Sequence, residues 1–144
     1  MQGQTRPGLN LFTAWFVIHG MENSSQDKTL VIGASDNPER YSFLAVNRLR
    51  QHNHPVVAIG RKNTTVADVQ IQTEKKDYPD IGTVTLYLNP RNQKEYYDYI
   101  LSLHPKRIIF NPGAENAEFF NIAKANGIKA LEACTLVLLS TNQF

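Results

Sequence analysis

The run Thr29-Leu30-Val31-Ile32-Gly33 constrains this chain more than any other stretch. Apolar and β-branched residues stop at a glycine, a polar loop follows through Arg40, and an apolar helical pattern opens at Tyr41. A strand without polar alternation suits a parallel sheet covered on both faces. A strand, a turn and a helix N-terminus in that order make the place where α/β proteins hold phosphates.

The same alternation recurs downstream. Val56–Gly60, Thr83–Leu88, Ile108–Phe110 and Ile128–Leu131 read as four further strands. Between them lie three helical patterns. Tyr41–His52 has Phe43, Ala45, Val46 and Leu49 inward. Arg91–His104 has Tyr97, Ile100, Leu101 and His104 inward. Glu115–Asn126 has Phe119, Phe120 and Ala123 inward, with Gly127 as its C-cap. Val66–Thr73 alternates weakly and reads as a short extended piece, and the apolar Cys134–Leu139 as a last short helix or an edge segment. The expected fold class is α/β: a Rossmann-like, doubly wound parallel sheet of about five strands in three layers. Right-handed crossovers lead to the order 3-2-1-4-5, with the switch point beside the first strand.

A chain of 144 residues is enough for one domain. Leu9–Ile18 is apolar but shorter than the roughly 20 residues needed to span a bilayer, and no A-x-A-like cleavage site follows it. The domain is expected to open after Met21. Residues 1–27 then form an N-terminal extension, poorly ordered, and residues 28–144 the domain. A net charge of +2 is too small to imply a nucleic-acid partner, and the single cysteine, Cys134, excludes an internal disulfide and favours a reducing, cytoplasmic setting.

Four loops share the carboxyl edge of such a sheet. In the first, Gly33 lets the backbone turn, Ser35 and Ser42 can donate hydroxyls, and Arg40 can neutralise a phosphate. The plainer alternative is that both serines are helix caps. The second loop separates cofactors. A nicotinamide dinucleotide fold wants G-x-G-x-x-G and an acid at the end of the second strand. Here the glycine positions hold Gly33, Ser35 and Pro38, and the strand ends in Gly60-Arg61-Lys62. Two cations attract a phosphorylated ribose, so coenzyme A and NADP both qualify, against the alternative of a solvated basic turn. Asn89-Pro90 follows the third strand. Asn111-Pro112-Gly113-Ala114-Glu115-Asn116 follows the fourth, with Gly113 permitting close approach, or serving an ordinary strand-to-helix turn.

Taken together, Gly33-Ala34-Ser35, Pro38, Arg40 and Ser42, the Asn89-Pro90 pair, the Gly113–Asn116 loop and a late cysteine resemble the small bacterial coenzyme A-binding proteins. That family is similar in fold to the N-terminal domain of succinyl-CoA synthetase α-subunits. The resemblance covers about residues 28–140. It implies that Gly33, Ala34, Ser35, Arg40 and Ser42 hold phosphates and that Gly60, Arg61 and Lys62 flank the adenosine and its 3′-phosphate. Asn89, Pro90, Gly113 and Asn116 would line the pantetheine path. Two departures stand out: Gly60-Arg61 replaces an Asn-Pro type loop, and Asn111 stands where the family often has Gln.

Catalytic groups are not expected near this edge. His52, His54 and His104 fall at helix C-termini, which a parallel α/β unit places on the opposite rim, while His19 lies in the extension. No Cys/His cluster has metal spacing. Glu115 suits the N-terminus of the third helix, and Cys134 reads as a small buried hydrophobe or as a thiol able to form a mixed disulfide with coenzyme A. The leading expectation is a binder of coenzyme A or an acyl-CoA without catalysis of its own, with no nucleic-acid or membrane partner and an oligomeric state left open. The alternatives are an NADP-linked reductase, a partial acyl-CoA synthetase-like enzyme, and a regulatory module that needs no nucleotide.

Overall fold

The structure is a computed structural model and describes residues 27–144. The reading of residues 1–27 as an extension therefore lies outside the described residues, apart from Asp27. The elements in chain order are β1 (Lys28–Ala34), α1 (Tyr41–Gln51), β2 (Val56–Gly60), β3 (Thr64–Val66), β4 (Val69–Gln72) and β5 (Ile81–Leu86). They are followed by α2 (Pro90–Gln93), a 3-10 turn (Lys94–Tyr96), α3 (Tyr97–Leu103), β6 (Arg107–Phe110), α4 (Ala117–Ala125), β7 (Lys129–Glu132) and α5 (Thr135–Ser140).

Among the described residues the sheet has seven strands in the order β3-β4-β2-β1-β5-β6-β7, parallel except for the β3–β4 pair. This corrects the expected order 3-2-1-4-5. The third main strand, β5, pairs with β1 rather than with β2. The place beside β2 is taken by the hairpin that the sequence showed only as weak alternation. Val66 and Val69 face each other across a two-residue turn, with Ala67 at φ 55. Thr73–Asp80 then carries the chain across to β5, so the switch point still lies beside β1, between β1 and β5.

Side chains alternate across each strand, and this divides the core into two. Leu30, Ile32, Ile59, Val84, Ile108 and Phe110 face Ile100 and Leu103 of α3 and Phe119 and Ala123 of α4. Val31, Ala58 and Ile71 face Val46 and Leu49 of α1 and Leu139 of α5. Helices thus cover both faces, and Cys134–Leu139 resolves as α5. Each fully buried aliphatic side chain contributes about 1.5–3 kcal/mol of transfer free energy.

The inner stripe of the second helical stretch differs from expectation. Leu103 is buried, while Leu101 is only half-buried and His104 is exposed, a left-handed C-cap with φ 51. The cause is the 3-10 turn Lys94–Tyr96, whose tighter winding rotates α3 relative to a continuous helix.

Candidate functional site

At the carboxyl edge the first strand does not end simply. Ile32 pairs with Ile59 and Ala34 with Gly60, so Gly33 is an extra residue in β1, held at φ 90. By alternation Ala34 belongs with Leu30 and Ile32. The bulge instead turns it to the α1–α5 face. A Cβ on Gly33 would sit 3.0 Å from the Tyr87 backbone, so the residue also permits close approach of β1 to the chain leaving β5. Beyond the bulge the loop holds its own shape. Ser35 Oγ accepts from the Asn37 N–H at 3.0 Å, and Asn37 Oδ1 from the Glu39 N–H at 3.0 Å. Arg40 is the N-cap of α1, with extended backbone and no side-chain cap bond. Phe43 N–H donates to Arg40 O at 3.1 Å, which leaves the Tyr41 and Ser42 amides for another partner, an arrangement that favours an anion.

Around this loop opens a crevice of about 920 Å³. Its wall takes Gly33, Ala34, Ser35, Asp36 and Arg40 from the first loop, Gly60, Arg61 and Lys62 from the second, and Asn89 from the third. Eight of the residues singled out from sequence therefore converge: Gly33, Ala34, Ser35, Arg40, Gly60, Arg61, Lys62 and Asn89. Arg40, Arg61 and Lys62 are all exposed at its rim. Lys62 Nζ lies 3.2 Å from Asp36 Oδ2, and Thr64 Oγ1 donates to the same oxygen at 3.0 Å. These two bonds, Lys62 first, hold the Asp36 carboxyl below the ordinary carboxylate range.

The other four residues do not reach that wall. Ser42 is buried in the first turn of α1. Pro90 is the first residue of α2, placed there by Asn89, whose Oδ1 caps the Asn92 N–H at 2.9 Å. Gly113 has φ 93 and donates its N–H to Glu115 Oε1 at 2.9 Å. Asn116 spends its amide internally. Oδ1 caps α4 at Phe119, and Nδ2 donates to Gln93 Oε1 at 2.9 Å and to Tyr97 OH at 2.8 Å. The fourth loop thus braces α2 against α4 rather than facing the crevice.

Gly60 joins the wall for a packing reason. A Cβ there would collide with the Ala34 carbonyl oxygen and approach Ile71 Cγ2 to 2.8 Å. Asn111 is likewise structural. Its Nδ2 donates to Thr85 Oγ1 at 2.6 Å and to Leu86 O at 2.9 Å, and its Oδ1 caps α5 by accepting from the Thr135 N–H at 2.9 Å. Cys134 is the half-buried N-cap of α5 and does not line the crevice.

Thr64, Thr73, Tyr87, Leu88, Asn92, Glu95 and Tyr96, none of which the sequence singles out, complete the wall. The sequence pattern continues the strand through Tyr87 and Leu88; β5 stops at Leu86, so they line the site instead. Glu95 and Tyr96 are presented by the 3-10 turn, and Lys75 ties the β4–β5 crossover to them. Its Nζ donates to Glu95 O at 2.8 Å and lies 4.7 Å from the Tyr96 ring centre. Burial raises the Tyr87 phenol to a pKa of about 12, and its hydroxyl has no hydrogen-bond partner. The Thr85 and Thr135 hydroxyls beside it offset part of that rise, but they are bonded to each other at 2.8 Å. Among the described residues no group of three or more His, Cys, Asp or Glu is placed to hold a metal, and no helix is long and apolar enough to cross a membrane.

The family model for the CoA binding domain matches residues 27–140. The chain belongs to the CoA binding domain family. Solved structures share the fold. One titled only as a crystal structure of an uncharacterized protein is 47% identical, with a TM-score of 0.80 over 83% of this chain and 98% of that one. A hypothetical protein from Pyrococcus horikoshii OT3 shares the fold at 23% identity, with a TM-score of 0.71 and coverage of 88% and 89%. A Thermus thermophilus structure does so at 16% identity, with a TM-score of 0.72 and coverage of 90% and 98%. No curated protein matches. Within the CoA binding domain family, the crevice beside the Gly33 bulge is the candidate ligand site of this chain.

Proposed function

We propose that this chain binds coenzyme A or an acyl-CoA in the crevice and carries no catalytic machinery of its own. The observation that carries the reading is one convergence. Arg40, the N-cap of α1, and the Arg61-Lys62 pair line the same crevice of about 920 Å³, in a chain of the CoA binding domain family. The residues fit the group. The amides of α1 and Arg40 suit a diphosphate, Arg61 and Lys62 a ribose phosphate, and the volume lies within the range of about 300–1,000 Å³ usual for small-molecule sites. The wall contributes neither His nor Cys, and its carboxylates Asp36 and Glu95 are both engaged by lysines. That supports a role in holding a ligand rather than transforming it.

Thermal unfolding with coenzyme A, acetyl-CoA, NADP and NAD tests this. A ligand that binds only the native state raises the melting temperature. A rise with coenzyme A or acetyl-CoA but not with NAD is expected. A rise with NADP alone would replace the reading with a reductase-type site, and no rise with any of them would reject a nucleotide ligand.

A further inference from the structure

One stretch of the crevice wall is not built for phosphates. The 3-10 turn between α2 and α3 presents Tyr96 to the crevice, and Thr73, the residue that follows β4, lines it as well. The wall residues therefore follow the strand order β4-β2-β1-β5. Thr73 comes after β4, Arg61 and Lys62 after β2, the Gly33 loop after β1 and Asn89 after β5. Tyr96 belongs to the β4 end of this row, because Lys75 of the β4–β5 crossover packs on its ring.

Tyr96 is held from behind. Lys75 Nζ lies 4.7 Å from the centre of its ring, donates to Glu95 O at 2.8 Å and is 3.6 Å from Glu95 Oε2. Next to it, Lys76 O accepts from Tyr99 OH, which fastens the crossover to α3. Tyr96 lines the crevice and Lys75 does not, so the ammonium covers the ring from the outer side and the inner side is left to the crevice. The ring is half-buried. Burial, then the Glu95 carboxylate, raises its phenol, so Tyr96 stays neutral beside a site that attracts anions. A neutral aromatic ring already fixed in a wall is suited to stack on a nucleobase, because little side-chain freedom is lost on binding.

On the reading that the ligand is coenzyme A or an acyl-CoA, we propose that Tyr96 is the platform for its adenine ring and that Lys75 is the positioning residue that holds the platform. This sets the direction of the ligand. The base lies at the β4 end against Tyr96, the ribose phosphate at Arg61 and Lys62, the diphosphate at the N-terminus of α1, and the pantetheine arm leaves past Asn89 at the β5 end.

The test uses the full-length protein with two ligands. Adenosine 3′,5′-bisphosphate carries the base and the ribose phosphates but no arm. Etheno-coenzyme A carries a fluorescent adenine whose emission falls when it stacks on an aromatic side chain. Bound etheno-coenzyme A should be quenched in the wild type and in Y96F, and bright in Y96L. In calorimetry Y96L should lose about five- to hundredfold in affinity for coenzyme A and for the bisphosphate alike, the range of base–aromatic stacking. K75A, which alters an exposed side chain, should lessen the quenching, and K75R, which keeps a cation over the ring, should restore it. A lysine that only stabilised the fold would move the melting temperature and not the emission of the bound ligand. Bright ligand on the wild type, unchanged quenching in Y96L, or a loss in Y96L for coenzyme A but not for the bisphosphate would overturn the platform while leaving coenzyme A binding in place. Failure of the wild type to bind either coenzyme A or the bisphosphate would overturn the binding reading, and the platform with it.

Discussion

Lys62 Nζ is 3.2 Å from Asp36 Oδ2, so the first two loops of the crevice are joined by an ion pair in its wall. The cation proposed to meet a ribose phosphate is therefore already partnered, and a ligand must draw it away from a carboxylate. Asp36→Asn keeps the hydrogen bond from Thr64 within reach and removes the competing charge. Exposed pairs are weak, so the variant should bind coenzyme A about two- to fivefold more tightly in titration calorimetry. Weaker binding would instead make Asp36 a residue that shapes the loop for the ligand.

Arg40 has a different position. It caps α1 with its backbone and leaves its side chain at the crevice. Losing a hydrogen bond to a charged group corresponds to about a ten- to hundredfold loss of affinity, which is the expected effect of Arg40→Ala on coenzyme A binding. Since no side-chain bond of Arg40 supports the helix, the melting temperature should hold. Unchanged affinity would remove Arg40 from the site.

Gly60 is expected to tolerate no side chain. A Cβ would strike the Ala34 carbonyl oxygen and crowd Ile71, both fixed in the sheet. Gly60→Ala should destabilise the fold by about 1–3 kcal/mol, the usual cost of overpacking, read as a lower denaturant midpoint with unchanged slope. A neutral outcome would mean that β1 and β2 separate freely at this edge.

Gly60 also marks the limit of what residue patterns disclose. The run Thr29–Gly33 followed by a polar loop was enough to place a strand, a turn and a helix, because an unbroken apolar run suits few environments. The strand order was not, because Val66 and Val69 pair through a two-residue turn in a segment too short and too polar to read as two strands. The bulge at Gly33 was invisible for a related reason: an extra residue leaves no mark on composition, only on the face to which Ala34 turns. The family resemblance puts Asn116 on the pantetheine path, yet its amide is consumed by Phe119, Gln93 and Tyr97. Tyr87 and Tyr96 came to the site through the exact stop of β5 and the 3-10 turn, and boundaries of that kind depend on tertiary packing.

Tyr87 carries a buried hydroxyl without a partner. Leaving such a group unbonded costs about 1–3 kcal/mol, so Tyr87→Phe should stabilise the protein by roughly 1 kcal/mol in chemical denaturation. The ring, which contributes to the crevice wall, is retained, so the response to coenzyme A should persist. Destabilisation would show that the hydroxyl is satisfied in solution.

His54 should make stability depend on pH. Its ring packs edge-on against Phe144 at 4.8 Å. Burial, then the neighbouring His52 and Arg107, lower its pKa, while Asp27 pulls the other way. The fold therefore favours the neutral imidazole. The unfolded chain titrates near 6.5, so below that pH it takes up a proton that the folded protein accepts only at lower pH. The stabilisation is complete above about pH 6.5 and fades as pH falls through the folded value. Denaturation midpoints should therefore decline as pH falls below about 6.5. His54→Phe, which keeps an aromatic contact to Phe144 and cannot titrate, should flatten that part of the profile while leaving the carboxylate-driven loss at lower pH in place. An unaltered slope in the variant would assign the decline to other groups.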